Sequence, residues 1–504
     1  MQSQGLQNIV IVGGGTAGWM TAAALAQTLK GAYNIRLVES DEIGIIGVGE
    51  ATIPQITTFN SILHIDEPEF MRATQATFKL GIEFVNWGAI GDRYIHGFGK
   101  MGRELDGLPF HHFWRRMALL GKASALDAYS VNATAPLHAK FMRSRPEMVG
   151  SPLAEITYAY HFDAGSYAKY LRGLAEKNGV VRTEGKIVQV LQREPDGFID
   201  AVVLENGEKI HGDLFVDCSG IRGLLIEETL QTGYEDWTHW LPCDRAIAVP
   251  CASVEPLIPL TRSTARSAGW QWRIPLQHRI GNGHVYSSKF MQADEAEAML
   301  LNNLDGKQLA DPRHIAYVPG RRKKIWNKNC VAIGLSAGFF EPIESTNIHL
   351  IQTGVFRLLE MFPRQGFDAV DIDEANKLAR VEYECIRDFI ILHYKATERT
   401  DSPFWNYCRT MDIPASLQQK MDLFASNGRI HQFDKDLFGE MSWLQVMVGQ
   451  RIQAKSYHPF ADQRSGEDVS AFLADVENVV SKCVNVMPTH AEYIAQYCAA
   501  TPPA

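Results

Sequence analysis

The stretch NIVIVGGGTAG, residues 8–18, is a short apolar run that breaks into glycines and leads into an Ala-rich segment. Four consecutive β-branched residues bounded by glycine read as a buried strand. The following TAGWMTAAALAQTLK (16–30) reads as a helix and NIRLVES (34–40) as a second strand, so residues 7–39 predict one βαβ unit. Gly13-Gly14-Gly15-Thr16-Ala17-Gly18 lies at the turn and fits the GxGxxG pattern. Gly13 permits the tight turn, Gly15 admits a pyrophosphate close to the backbone, and Gly18 lets helix pack on strand, with the helix N-terminus facing phosphate. Glu39 closes the second strand, where a carboxylate accepts from a ribose hydroxyl and disfavours a 2′-phosphate. The ADP-ribose part of FAD or NAD therefore fits better than NADP.

Outward from this unit, GDLFVDCSGIRGLL (212–225) and NCVAIGLSAGF (329–339) are apolar strands running into Gly-containing turns, expected to extend the same sheet. No second GxGxxG stands in a strand–turn–helix context, so no separate nicotinamide domain is expected, and electrons for a bound flavin would come from elsewhere. NIHLIQTGVFRLLEMF (347–362) has helical periodicity, with Ser345 or Thr346 as candidate caps. From Asp373 onward the pattern is largely helical, punctuated by Pro403, Pro414 and Pro459, and the TPPA end is expected to fray. In WQWRIP (270–275) the two indoles of an extended segment share one side, and Pro275 ends the ladder.

The 504 residues, net charge −9, 46% hydrophobic content and mean hydropathy of −0.14 describe an ordinary globular chain. The acidic balance argues against a nucleic-acid partner, and the short basic run GRRKKIW (320–326) is expected to be a solvated turn. No segment is long and apolar enough to span a membrane, and the first residues lack the marks of a secretory leader, so a cytoplasmic location is expected. The eight cysteines are scattered, Cys218 and Cys330 reading as core residues, and no spacing suggests a metal.

Six motifs in colinear order carry a resemblance: GGGTAGWMTAAAL, GVGEATIP (47–54), FKLGIEF (78–84), WQWRIP, NCVAIGLSAGFFEPIEST (329–346) and RDFIILHYKATERTDSPFW (387–405). Together they resemble the flavin-dependent halogenases of the tryptophan-halogenase type, from about residue 7 to about 490. The resemblance implies an α/β fold: a Rossmann-like FAD-binding core, flavin monooxygenase-like, with a substrate-binding mixed sheet and a mainly helical C-terminal region. Expected boundaries are 1–365 for the core with its insertions and 366–504 for the helical region.

The resemblance further implies that reduced FAD, oxygen and a halide, chloride or bromide, generate hypohalous acid, which reaches a lysine beside an aromatic substrate. By motif that lysine is Lys79, although Arg72, Gln75 and Lys79 are also spaced as a solvated helix face. Glu344 matches the family's active-site glutamate, stabilising charge on the arene or taking its proton; an acid before a helix N-terminus is the plainer alternative. Ser345 matches a residue linking flavin and substrate sites. The halide would be held by backbone N–H groups of Thr346 and Asn347, where the family usually has Gly at the second position and Asn can adopt positive φ.

Ala51, Gly334 and Leu335 join Gly13, Gly15, Thr16, Ala17, Gly18 and Glu39 as flavin-binding candidates, and Pro54 joins His96 and Phe98 of YIHGFG (94–99) at the substrate wall. A core histidine is the alternative for His96. The segment 429–446 lacks the Tyr-Tyr pair with which free-tryptophan enzymes hold the amino-acid end, which favours indole, a substituted indole or another electron-rich arene at least as much. A separate flavin reductase is the implied partner, and a homodimer the family-level expectation. Flavin hydroxylases commonly place Asp after the late Gly, where this chain has Gly334-Leu335-Ser336. Two rivals remain: a single-component flavin monooxygenase, which oxidises NAD(P)H unaided, and a catalytically silent FAD-binding protein.

Overall fold

Asn8–Val12 is buried from its second residue on because it pairs in parallel on both sides, with Asn34–Glu39 and with Leu214–Asp217. This is the environment a near-continuous β-branched run predicts. The computed structural model describes residues 5–42, 49–432 and 436–501. GVGEATIP begins outside these residues, as do part of the segment 429–446 and the end expected to fray.

The chain forms two compact units interleaved along the sequence. The first comprises Met1–Ala76, Phe162–His239 and Ala316–Tyr383. Its main sheet has the order Trp326–Asn327, Cys330–Ala332, Leu214–Asp217, Asn8–Val12, Asn34–Glu39, Val181–Glu184. Only the Trp326–Asn327 edge is antiparallel. Both late strands thus extend the sheet of the βαβ unit, as expected. Helix Thr16–Leu29 packs against Ala164–Lys177 and Asn347–Glu360. The three-stranded sheet Ile187–Gln192, Ile199–Leu204, Lys209–His211 shares a core with the main one through Val10, Val12, Val202 and Phe215.

The basic run is a solvated turn only at Lys323 and Lys324, which are exposed between two strands. Gly320–Arg322 is a strand between Tyr234–Asp236 and Gly338–Phe339, with Arg321 and Arg322 only 4% and 5% exposed. Burial is tolerated because each guanidinium meets a carboxylate, Arg321 with Glu235 at 2.7 Å and Arg322 with Glu227 at 2.8 Å.

The second unit comprises Thr77–His161, Trp240–Ile315 and Glu384–Ala504. Its seven-stranded sheet is mixed: Leu260–Arg266 runs parallel to Gly81–Val85, while Gly269–Pro275 lies between two antiparallel neighbours. All seven residues of Gly269–Pro275 are buried. Trp270 packs near Trp87, which meets Tyr394 and Trp405 edge-on, and Trp272 lies over Gly283, where a Cβ would overlap its indole. Pro275 is the last strand residue, as its missing N–H predicts. The chain after residue 400 is helical, including Pro403–Thr410, Ala415–Asn427, Glu440–Gly449, Gly466–Asn485 and His490–Tyr497. Among the described residues no helix is long and apolar enough to cross a membrane.

Candidate active site

In the first unit the glycine turn has the shape its spacing predicts. Gly13 has φ +109°, and a Cβ there would overlap the Cys218 carbonyl. A Cβ on Gly18 would overlap the Gly13 carbonyl, so helix and strand are in contact at that point. Gly15 differs, because a Cβ there would meet no atom of the described residues within 4 Å. Packing among the described residues does not require glycine at this position, whereas a ligand pressed against the backbone does. Helix Thr16–Leu29 opens beside it with no side-chain cap and no acidic residue in its first turn, leaving its N–H groups suited to phosphate.

Glu39 stands at the end of its strand as expected. Its carboxylate lies across Gly14, pairs with Arg182 and accepts from Trp19 Nε1 at 3.4 Å, with Arg172 at 3.8 Å. Gly334, at φ +76°, approaches Ala17 and Ile351 and opens the 3-10 turn that contains Leu335. Gly13, Gly18, Ala17 and Gly334 are therefore brought together. Ala51 is buried in the strand Gly49–Ala51, and Pro54 precedes helix Gln55–Ile62. The open face at Gly15, the uncapped helix and the acid at the strand end fit the ADP half of FAD.

EPIEST forms a 3-10 turn at Pro342–Glu344 leading into helix Asn347–Glu360. Glu344 and Thr346 are 0% exposed. Thr346 makes no side-chain capping bond to the helix. Ser345 is left-handed (φ 59°), and Thr346, the helix-flanking residue, has φ −88°, ψ −13° instead of the extended conformation of a capping residue. The Thr346 hydroxyl has no hydrogen-bond partner among the described residues. The positive φ considered for Asn347 is carried by Ser345, while Asn347 is helical.

In the second unit Lys79 does not lie on a solvated helix face. The preceding helix ends at Ala73, Gln75 turns the chain with φ 57°, and Thr77–Lys79 is a strand. Lys79 is 0% exposed, a rare state for lysine, with Nζ 5.3 Å from the centre of the Phe98 ring. His96 lies in strand Arg93–Gly97, opposite Ile82, and Phe98 N–H donates to the Leu80 carbonyl at 2.8 Å. The structure thus brings Lys79, His96 and Phe98 into one region. His96 is flanked by Phe389 at 5.7 Å and Phe438 at 6.2 Å, and these two rings stack at 3.9 Å.

Sequence reasoning missed several residues here. Gln445 accepts from the Gly97 N–H at 2.9 Å and donates to its carbonyl at 3.2 Å, fixing the backbone between His96 and Phe98. His161, opposite Thr77 in an antiparallel pair, and His490 flank the Lys79 strand. Burial, then the charge of Lys79, holds the His161 imidazole well below its ordinary range. Burial pushes His490 down to about 3. No local pattern marks these residues, because their partners are 84 to 412 positions away.

The family description "tryptophan halogenase" matches residues 8–466. The chain is 33% identical to the 7-chloro-L-tryptophan 6-halogenase KtzR of Kutzneria sp. (strain 744), over 97% of this chain and 99% of that protein. It is 35% identical to the tryptophan 7-halogenase RebH of Lentzea aerocolonigenes, over 84% and 83%. Among solved structures, a flavin-dependent halogenase from Xanthomonas campestris superposes with TM-score 0.96 at 48% identity, covering 99% of this chain and 100% of that one. BrvH, a flavin-dependent halogenase from Brevundimonas sp. BAL3, gives 0.94 at 44%, covering 98% and 99%. With the Rossmann-type sheet and glycine turn in place, this chain belongs to the tryptophan halogenase family and is a flavin-dependent halogenase, an enzyme that uses FAD in its reduced form and a halide.

Proposed function

We propose that the protein halogenates an electron-rich, indole-like arene, with reduced FAD delivered by a separate NAD(P)H-dependent flavin reductase, and that it works in the cytoplasm. The observation that carries the reading is Lys79: a lysine held at 0% exposure, beside an aromatic ring, at the motif position of the family's lysine. Bound reduced FAD supplies, with oxygen and halide, the hypohalous oxidant. Lys79 holds that oxidant through its ammonium hydrogens and presents its halogen to the arene, and Glu344 takes the ring proton or stabilises the positive charge that precedes its loss. The N–H groups at Thr346 and Asn347 and the Thr346 hydroxyl hold the halide, supported by an uncapped helix start and a buried hydroxyl without a protein partner.

Indole without a free α-amino acid end is the preferred substrate class. The support is that segment 429–446 lacks the Tyr-Tyr pair with which free-tryptophan enzymes hold the amino-acid end, while Lys420, among the described residues near the aromatic wall, pairs with Asp436 at 2.6 Å and lies 4.3 Å from the Trp443 ring. The test is mass spectrometry of the purified protein with FAD, a flavin reductase, NADH, oxygen, and bromide or chloride. Indole and tryptophan are offered separately, with a soluble scavenger of free hypohalous acid present. Halogenated indole in excess over halogenated tryptophan supports the reading. Hydroxylated product, or NADH oxidation without the reductase, contradicts it.

A further inference from the structure

The strand carrying Lys79 is three residues long, too short for its own ladder to fix a buried ammonium. Side chains alternate along it, so Thr77 and Lys79 share one face and Phe78 takes the other. On the Phe78 face the ring stacks on Phe141 at 4.1 Å and meets Tyr158 and Tyr493 edge-on. The Phe78 N–H donates to His490 Nε2 at 3.1 Å, and His490 Nδ1–H donates in turn to the Leu257 carbonyl at 3.2 Å.

The Lys79 face has a tighter arrangement. Thr77 Oγ1 donates its single proton to the Pro275 carbonyl at 2.6 Å, the end of the WQWRIP strand. The same oxygen lies 3.1 Å from His161 Nδ1, so it accepts there and Nδ1 carries the hydrogen. His161 is neutral, and its Nε2 accepts from the Thr261 hydroxyl at 2.9 Å. The order Thr261, His161, Thr77, Pro275 is therefore a one-directional hydrogen-bond chain that ties the Lys79 strand to two strands of the mixed sheet.

We infer that His161 is the positioning residue of Lys79: through Thr77 it holds the lysine where the hypohalous acid is captured, so the histidine governs how much oxidant reaches the arene without touching oxidant, flavin or substrate. The inference rests on the proposed role of Lys79. A displacement of about 1 Å at a reacting group can cost about 100-fold, and on the proposed reading, in which the oxidant forms at the flavin, the cost falls on transfer alone.

The test compares full-length wild type, His161→Ala, His161→Asn and Lys79→Ala with FAD, flavin reductase, NADH, oxygen, bromide, indole and a scavenger of free hypobromous acid. Three quantities are read: brominated indole that survives the scavenger, bromination of the scavenger, and thermal midpoint with bound FAD. His161→Ala is expected to lower scavenger-resistant product tenfold or more and raise scavenger bromination while the protein, though its thermal midpoint falls with the buried ring removed, stays folded with FAD bound at the assay temperature. His161→Asn, whose amide can still donate to Thr77, is expected to restore most of the product. Undiminished resistant product in His161→Ala, beside a null Lys79→Ala, overturns the inference; persistence in Lys79→Ala overturns the lysine's role itself. Should His161→Ala fail to fold, Thr77→Val breaks the same chain at its next member, and the same two outcomes decide.

Discussion

Arg182 holds the carboxylate of Glu39 across Gly14, with Arg172 3.8 Å away and both Arg182 and Glu39 largely screened from solvent. The acid that sequence assigns to a ribose hydroxyl is thus oriented by a strand that begins 142 residues after it, Val181–Glu184, paired in parallel with its own. Glu39→Gln weakens both the ion pair and the charged acceptor. FAD affinity should fall about tenfold, the size of one charged hydrogen bond, measured by fluorescence titration of the apoprotein.

Two glycine variants separate folding from flavin binding. Gly13→Ala places a Cβ against the Cys218 carbonyl at φ +109° and should destabilise the fold by roughly 2 kcal/mol or more. Gly15→Ala meets no atom of the described residues within 4 Å, so its thermal midpoint without FAD should stay near wild type while FAD affinity drops by about tenfold or more. Thermal melts of the flavin-free protein and flavin titrations check both.

Thr346→Val removes a buried hydroxyl that has no partner among the described residues. Folding stability should hold or rise slightly, since an unsatisfied polar group is lost. The halide concentration giving half-maximal product should rise by about fivefold or more, the loss of roughly one hydrogen bond to an anion. Product formation against bromide concentration, beside a melt, reads both.

Because burial pushes His490 down to about 3, the unfolded chain binds a proton that the folded one refuses between that value and the ordinary 6.5. The stabilisation from keeping His490 neutral is complete above pH 6.5 and is lost as pH falls, at up to about 1.4 kcal/mol per pH unit. His490→Asn should flatten the fall in stability between pH 6 and 4 relative to wild type by that slope. Denaturant unfolding at stepped pH tests this.

How far the sequence could be read followed from how local each feature is. The βαβ unit, the roles of Gly13 and Gly18, and the return of 214–217 and 330–332 to the sheet rest on short-range pattern, and the structure has all of them. Lys79 could be placed only by its resemblance to a family motif, because a three-residue strand is too short to show alternation and its spacing from Arg72 imitates a helix. Arg321 and Arg322 look solvated until Glu235 and Glu227, far back in the chain, neutralise them. The Thr77–His161–Thr261 chain spans 84 and 100 positions, and no neighbour of any of the three announces it.

Lys79 is tested most directly by a turnover experiment on Lys79→Ala with reduced FAD, oxygen, bromide, indole and the scavenger, counting flavin oxidised, scavenger brominated and indole brominated. If Lys79 acts only in the transfer step, flavin oxidation and scavenger bromination continue while scavenger-resistant bromoindole falls by a factor of about 100 or more. Scavenger-resistant bromoindole at the wild-type level would contradict that role.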